Sequence, residues 1–291
     1  GRAGNQDWPE LSRLGTWMYY LISQVLKTFR TLFPKGKHRT RAIWLAAIAT
    51  IVPLTQLFVI RIFTHMITAG PDEELATTVI NFTLFFGLFA ISHLATYWQK
   101  TYRVKVFNDA LSSREGLRNR MTESWDWALA FESNNLLHTF TQVIVLSAFF
   151  ISVNWKAGLI NGVLILITMQ FIRVMFRKQM ETQAAYALAQ KKKEAVANVT
   201  RIKSRIKSAE IGTLVANASF ILSLAVLLIL SHMKGPDGHS ELEVPDAVML
   251  FLGFRMQNSN LGQTSGSLMR FARAKANSEA PAEFKKWQSE D

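Results

Sequence analysis

Residues 136–172 read LLHTFTQVIVLSAFFISVNWKAGLINGVLILITMQFI. Two apolar runs, 136–153 and 157–172, are broken only by Asn154, Trp155 and Lys156. Each run is close to the roughly 20 helical residues that cross a hydrocarbon layer about 30 Å thick. Three intervening polar or amphipathic residues leave room for a tight turn and nothing more. The stretch therefore predicts an antiparallel helical hairpin inside a membrane.

Four further blocks extend this reading in both directions: 43–68, with Pro53 inside it, 75–98, 211–230 and 244–269. The expected fold class is all-α, a polytopic membrane protein with six transmembrane helices, the sixth being the most polar. Composition agrees. Of 291 residues 49% are hydrophobic and 19% charged, with 20 Phe and 8 Trp. As buried helices of a soluble protein, six such runs would leave too little polar surface to cover them. The first long apolar block begins near residue 42 and is too long for a signal peptide.

The net charge of +12 would suggest nucleic acid in a soluble chain. Here the basic residues lie between apolar blocks, so no nucleic-acid partner is expected. All of the 33 Lys and Arg except Arg61, Lys156, Lys234 and Arg255 fall before the first block, between the second and third, between the fourth and fifth, or after the sixth. The alternate connections hold Asp72, Glu73, Glu74, Asp237, Glu241, Glu243 and Asp246. The positive-inside rule then places both termini and both long loops on the cytoplasmic or equivalent side. The basic inner face suits anionic lipids. The membrane is a plasma or inner membrane, or an organellar inner membrane.

Residues 1–14 read as a flexible lead and 276–291 as a polar tail. Within 17–33, Met18, Leu21, Ile22, Val25, Phe29 and Leu32 share one helical face, and Pro34-Lys35-Gly36 ends the run. The expectation is an amphipathic elbow helix lying on the inner leaflet, or else packed on a partner. The segments 99–135 and 173–210 contain no Pro and are rich in Lys, Arg, Gln, Ala and Glu. They are expected to prolong the spans as helical legs, with Trp125, Asp126 and Trp127 at a tip that contacts a coupling partner or the interface.

Enzyme chemistry finds no support. There is no phosphate loop, no zinc-protease motif, no nucleophile elbow and no Cys, and the six His residues make no ligand spacing. No cofactor, metal or catalytic residue is expected. Three Asn-x-Ser/Thr sequons, at Asn81, Asn198 and Asn217, fall in spans or on the inner side and read as chance matches. The informative residues are polar ones inside spans, where lipid exposure is costly. The sixth block carries Arg255, Ser259, Gly262, Gln263 and Gly266 on one face. Gln56 and Arg61, Asn81, Asn161 and Asn217 are placed to complete a polar interior. The candidate substrate cavity is therefore Arg255, Ser259, Gln263, Gln56 and Asn81; the other reading of the amides is hydrogen bonding between helices.

An elbow helix, six spans with both ends inside, two long helical inner loops and the short hairpin at 154–156 resemble the transmembrane domain of an ABC exporter, without its nucleotide-binding domain. The resemblance covers about residues 15–275 and is one of topology and spacing. It implies a domain-swapped dimer, with itself or a homologous subunit, around a cavity open alternately to each side. It also implies a separate ATPase docked on the inner tips. Proton drive would require carboxylates within the spans, which are almost absent. Two functions follow: a transport subunit for an amphipathic or anionic solute, or an ATPase-less scaffold in a larger membrane complex.

Overall fold

A single residue turns the central hairpin. In the computed structural model, which describes residues 14–33, 35–69, 74–112, 120–192, 198–233 and 242–290, one helix ends at Val153 and the next begins at Trp155. Asn154 between them is extended (φ −145°, ψ 107°), and its side chain accepts a hydrogen bond from the Ala157 amide at 3.0 Å. This is the N-cap role for which Asn is among the best residues. Gly158 follows because a Cβ there would lie 2.6 Å from Ile151 Cα, so only glycine allows the two backbones to pass this closely.

The described residues form seven helices: α1 Leu14–Leu32, α2 Lys37–Ala69, α3 Leu75–Ser112, α4 Arg120–Val153, α5 Trp155–Lys191, α6 Asn198–His232 and α7 Val244–Glu290. Among the described residues there is no strand. Helices α3 to α6 run without a break past their apolar stretches, as the Pro-free legs predict. α7 is the hub and packs on α2, α4, α5 and α6, whereas α3 lies along α2 and meets α4 at few points. Connections alternate between two ends. The turn at Asn154, the end of α2, the start of α3, the end of α6 and the start of α7 lie at one end. The other end gathers α1, the start of α2 and the basic halves of α3 to α7.

Five helices, α2 to α6, are long and apolar enough to cross a membrane. They fit a polytopic helical membrane protein. The expectation of six is corrected here. Arg255, Gln257, Asn258, Ser259, Asn260, Gln263, Thr264 and Ser265 keep α7 from being apolar enough. A helix packed on four others has less apolar surface to supply, although Arg255, Ser259 and Gln263 of α7 stay exposed. α3 is the opposite case: only 6% of its most apolar window is buried, leaving Val79, Phe82, Phe86, Phe89 and Leu94 exposed.

Three other expectations change. The apolar face of α1 is not free to lie on a leaflet: Val25, Phe29 and Phe33 are 1%, 2% and 0% exposed. Phe33 meets Phe29 at 4.7 Å and Phe107 at 5.2 Å, and Phe107 meets Phe131 at 4.9 Å. Burying each such side chain against protein contributes about 1.5–3 kcal/mol, which decides where this face goes. Met18 and Leu21 of the same pattern lie outside the residues whose side chains are described, as does most of the lead. Secondly, the 276–291 tail is not a separate polar extension, since α7 continues to Glu290. Lys275 Nζ reaches Gln24 Oε1 of α1 at 2.6 Å and Ser278 Oγ donates to Asp126 Oδ1 at 3.1 Å, so α7 is held against α1 and α4 at this level. Thirdly, α5 and α6 pack on each other and on α7 of the same chain, an arrangement different from an arm reaching into a swapped partner.

Two close approaches fix α7. A Cβ on Gly212 of α6 would stand 2.5 Å from Ser265 Cβ, and one on Gly253 would stand 2.6 Å from the Phe150 ring. Small residues at such crossings let helices gain van der Waals contact where lipid supplies no hydrophobic drive. Between these points a closed hydrogen-bond knot joins four helices. Gln257 of α7 donates to Val143 O (3.1 Å) and Ser147 Oγ (3.0 Å) of α4 and accepts from Asn161 of α5 (2.8 Å). Asn161 in turn accepts from Ser223 of α6 (2.9 Å).

Candidate functional site

Proline decides the first element of the site. Pro53 sits inside α2 and has no N–H, so the carbonyl of Ala49 loses its helical partner. A carbonyl so released within a bundle needs another donor. It finds one 89 residues away, in His138 of α4, whose Nε2 lies 3.0 Å from Ala49 O. That bond fixes the ring as the Nε2–H tautomer and pins α4 to α2 at this level.

Around this contact lies a cavity of about 400 Å³. α2 supplies Ala49, Val52, Pro53 and Gln56; α3 supplies Thr96, Gln99, Lys100 and Arg103. α4 supplies Asn134, Asn135, His138 and Gln142, and α7 supplies Met256 and Asn260. Among the described residues the wall holds two cations and no carboxylate. Arg103 donates to Asn135 Oδ1 at 2.8 Å and stacks over Phe131 at 4.7 Å. Asn134 and Gln142 are 1% and 2% exposed, and neither Asn134 Oδ1 nor Gln142 Oε1 accepts a hydrogen bond. Arg103 Nε is likewise buried without an acceptor. A buried polar atom without a partner costs about 1–3 kcal/mol, so these two amides, whose residues line the cavity, carry an energetic loss that a bound polar group would offset.

A second cavity, about 600 Å³, shares Asn135, His138 and Asn260 with the first and continues past Thr213, Gln263, Gly266 and Arg270. A third, about 380 Å³, shares Glu210, Gly266 and Arg270 with the second and reaches Trp125, Arg205 and Arg273. Polar space thus steps along the α4–α7 groove toward the basic end. At the last step Arg270 pairs with Glu132 across the groove, and Arg273 lies over the Trp125 ring at 5.1 Å. Among the described residues no cluster of three or more His, Asp or Glu is placed to hold a metal.

The residues expected to form one face are divided. Gln56 lines the first cavity and Gln263 the second. Arg255 and Ser259 are exposed on the flank of α7 and line none of the three, and Asn81 is on α3 away from them. The reason is that α6 closes on α7 at Gly212 and Thr213, covering Gly262, while its neighbours leave 255 and 259 uncovered. Arg61 is drawn to the other end of the bundle by Asp246, 2.7 Å away. Asn161 belongs to the Gln257 knot, and Asn217 is exposed. Trp125, Asp126 and Trp127 fall in the first turns of α4. Asp126 is 4% exposed and Trp127 is stacked near Phe131 at 6.0 Å.

Most of the cavity wall lies outside the residues that the sequence singles out. A signal is there: Thr96, Gln99, Lys100 and Arg103 follow i, i+3, i+4, i+7, and Asn134, His138 and Gln142 follow i, i+4, i+8 into an otherwise apolar run. Compared with known proteins, the chain matches no protein-family model and no curated protein.

Proposed function

We propose that this chain is a membrane-embedded transport subunit that takes an anionic or amphipathic solute into the polar cavities bordering α7. The observation that carries the reading is the first cavity. A structural void in a bundle is lined by apolar side chains or sealed by satisfied ones, whereas this one holds Lys100, Arg103 and two buried amide oxygens without partners. Such convergent polar groups in a concave site favour a ligand. The two cations in its wall favour an anion. The continuous series of cavities supports a path rather than a terminal pocket.

In this reading the five apolar helices stand in the bilayer, with the basic end of the bundle on the cytoplasmic or equivalent side. Arg255 and Ser259, exposed on the flank of α7, support pairing with a second copy or a homologous subunit. Energy would come from a separate ATPase or an ion gradient. The test is uptake of radiolabelled taurocholate, an amphipathic anion, into proteoliposomes holding the chain with its copurified partners. Uptake should fall severalfold or more in Arg103→Gln while assembly on a sizing column is unchanged. No uptake above protein-free vesicles for taurocholate or any other amphipathic anion would refute the reading.

A scaffold is the second reading, favoured by the Gln257 knot, which uses buried amides of α5 and α7 for packing alone. It predicts copurification with many unrelated subunits and no effect of Arg103→Gln on any flux.

A further inference from the structure

The first cavity is closed on three sides. α2 packs along α3 and also meets α4 and α7, and α4 packs on α7. The remaining seam is between α3 and α4, which touch at few points. Arg103 bridges that seam to Asn135 and Phe131, and beyond this bridge Thr96, Gln99 and Lys100 on one helix face Asn134, His138 and Gln142 on the other across the open volume. Just before this level α3 leaves apolar side chains exposed, among them Ile91 and Leu94.

Its depth is also defined. Lys100 and Arg103 follow directly on the apolar run 75–98, and Tyr97 and Trp98, both exposed, stand beside them, with Trp98 stacked on Tyr102 at 4.9 Å. Aromatic residues and cations at the end of an apolar run mark the level of lipid headgroups. A cation pair at this depth, inside a side opening and without a carboxylate in its wall, meets lipid phosphate before any solute from the water.

From this geometry we infer that the cavity between α3 and α4 admits from the side the headgroup of an anionic phospholipid that carries free hydroxyls. Lys100 and Arg103 take the phosphate, and the Asn134 and Gln142 carbonyl oxygens take the hydroxyls. The inference rests on the transport reading for its purpose and names the ligand class of that same site. The two amide oxygens are acceptors, so they require donors on the ligand; a bare phosphate would leave them as they are. Each amide must rotate toward the cavity to make the bonds. A volume of about 400 Å³ holds a headgroup while the acyl chains remain outside along α3.

The test reads binding and needs no transport. The chain in nanodiscs of equal parts phosphatidylglycerol and phosphatidylcholine is released into a mass spectrometer under native conditions, and the lipid retained is counted. Phosphatidylglycerol should be kept over phosphatidylcholine by about tenfold, equivalent to about 1.4 kcal/mol. Arg103→Gln and the exposed Lys100→Gln should each remove most of that preference. Replacing phosphatidylglycerol by phosphatidic acid, which lacks the headgroup hydroxyls, should weaken retention in the wild type and weaken it less in Gln142→Leu. Should Gln142→Leu fail to fold, the two cation variants and the lipid comparison decide alone. Equal retention of both lipids, or a preference that survives both cation variants, overturns the inference. Glycerol 3-phosphate in the buffer is the second arm: if it binds as tightly as the lipid and displaces it, the ligand is a free solute and the lipid assignment is wrong. Selective lipid retention without any flux would sink the transport reading and leave this one standing.

Discussion

Pro53 and His138 should be coupled, and the coupling can be measured. Replacing His138 by Ala removes the donor that the structure gives to the Ala49 carbonyl, which Pro53 has already deprived of its helical N–H. The contact is partly buried. The cost should therefore fall in the lower part of the range for an unsatisfied group, about 1–2 kcal/mol. Pro53→Ala restores an N–H at position 53, which can return to Ala49 O in the ordinary i to i−4 bond. In that background His138→Ala should cost only its packing, so the cycle should show a coupling of about 1 kcal/mol. This exceeds the few tenths by which independent sites fail to add. The assay is reversible unfolding in mixed detergent micelles with graded dodecyl sulfate, followed by helical circular dichroism, for the wild type, both single variants and the double. If His138→Ala costs the same in the wild-type and Pro53→Ala backgrounds, the Ala49 carbonyl is not what His138 serves, and the account of how α4 is pinned to α2 fails.

Gln257→Leu removes three hydrogen bonds and strands Asn161, so it should destabilise the bundle by about 2 kcal/mol in the same assay, given the modest worth of such bonds between membrane helices. A change under a few tenths would show that the knot is dispensable. Gly212→Ala places a methyl against Ser265 and should cost about 1–3 kcal/mol, and Ser265→Gly in the same chain should recover much of it; a loss the second change does not relieve would place the strain elsewhere. The absence of Cys from the sequence makes single-cysteine labelling direct. Lys35→Cys and Lys156→Cys, at opposite ends of the bundle, should react with a membrane-impermeant maleimide from opposite sides of sealed vesicles. Labelling of both from one side would contradict the bilayer placement.

Whatever depends on neighbours along the chain is legible in the linear pattern. Apolar blocks of membrane-spanning length, the tight turn at Asn154, the unbroken helical legs and the sorting of Lys and Arg to one end can all be read there, because length, hydropathy and capping are local properties. The reading of α7 as a sixth span fails for a related reason. Its 244–269 block has the length of a span, but α7 turns polar residues toward α2, α4, α5 and α6, on which it packs, and leaves Arg255 and Ser259 exposed on its free flank. Likewise the amphipathic pattern of α1 shows that one face is apolar but not whether lipid or Phe107 covers it. The cavity belongs to tertiary structure altogether. Gln56, Lys100, Arg103, Asn134, His138 and Gln142 come from three helices and face one another only because α3 rests on α2 and leaves its seam with α4 open. Pro53 announces an orphaned carbonyl in the sequence, but which donor answers it is settled by the packing of a helix 89 residues away. Hydrogen-bond satisfaction and enclosure are properties of all the neighbours together, and a linear pattern specifies only those on the same helix.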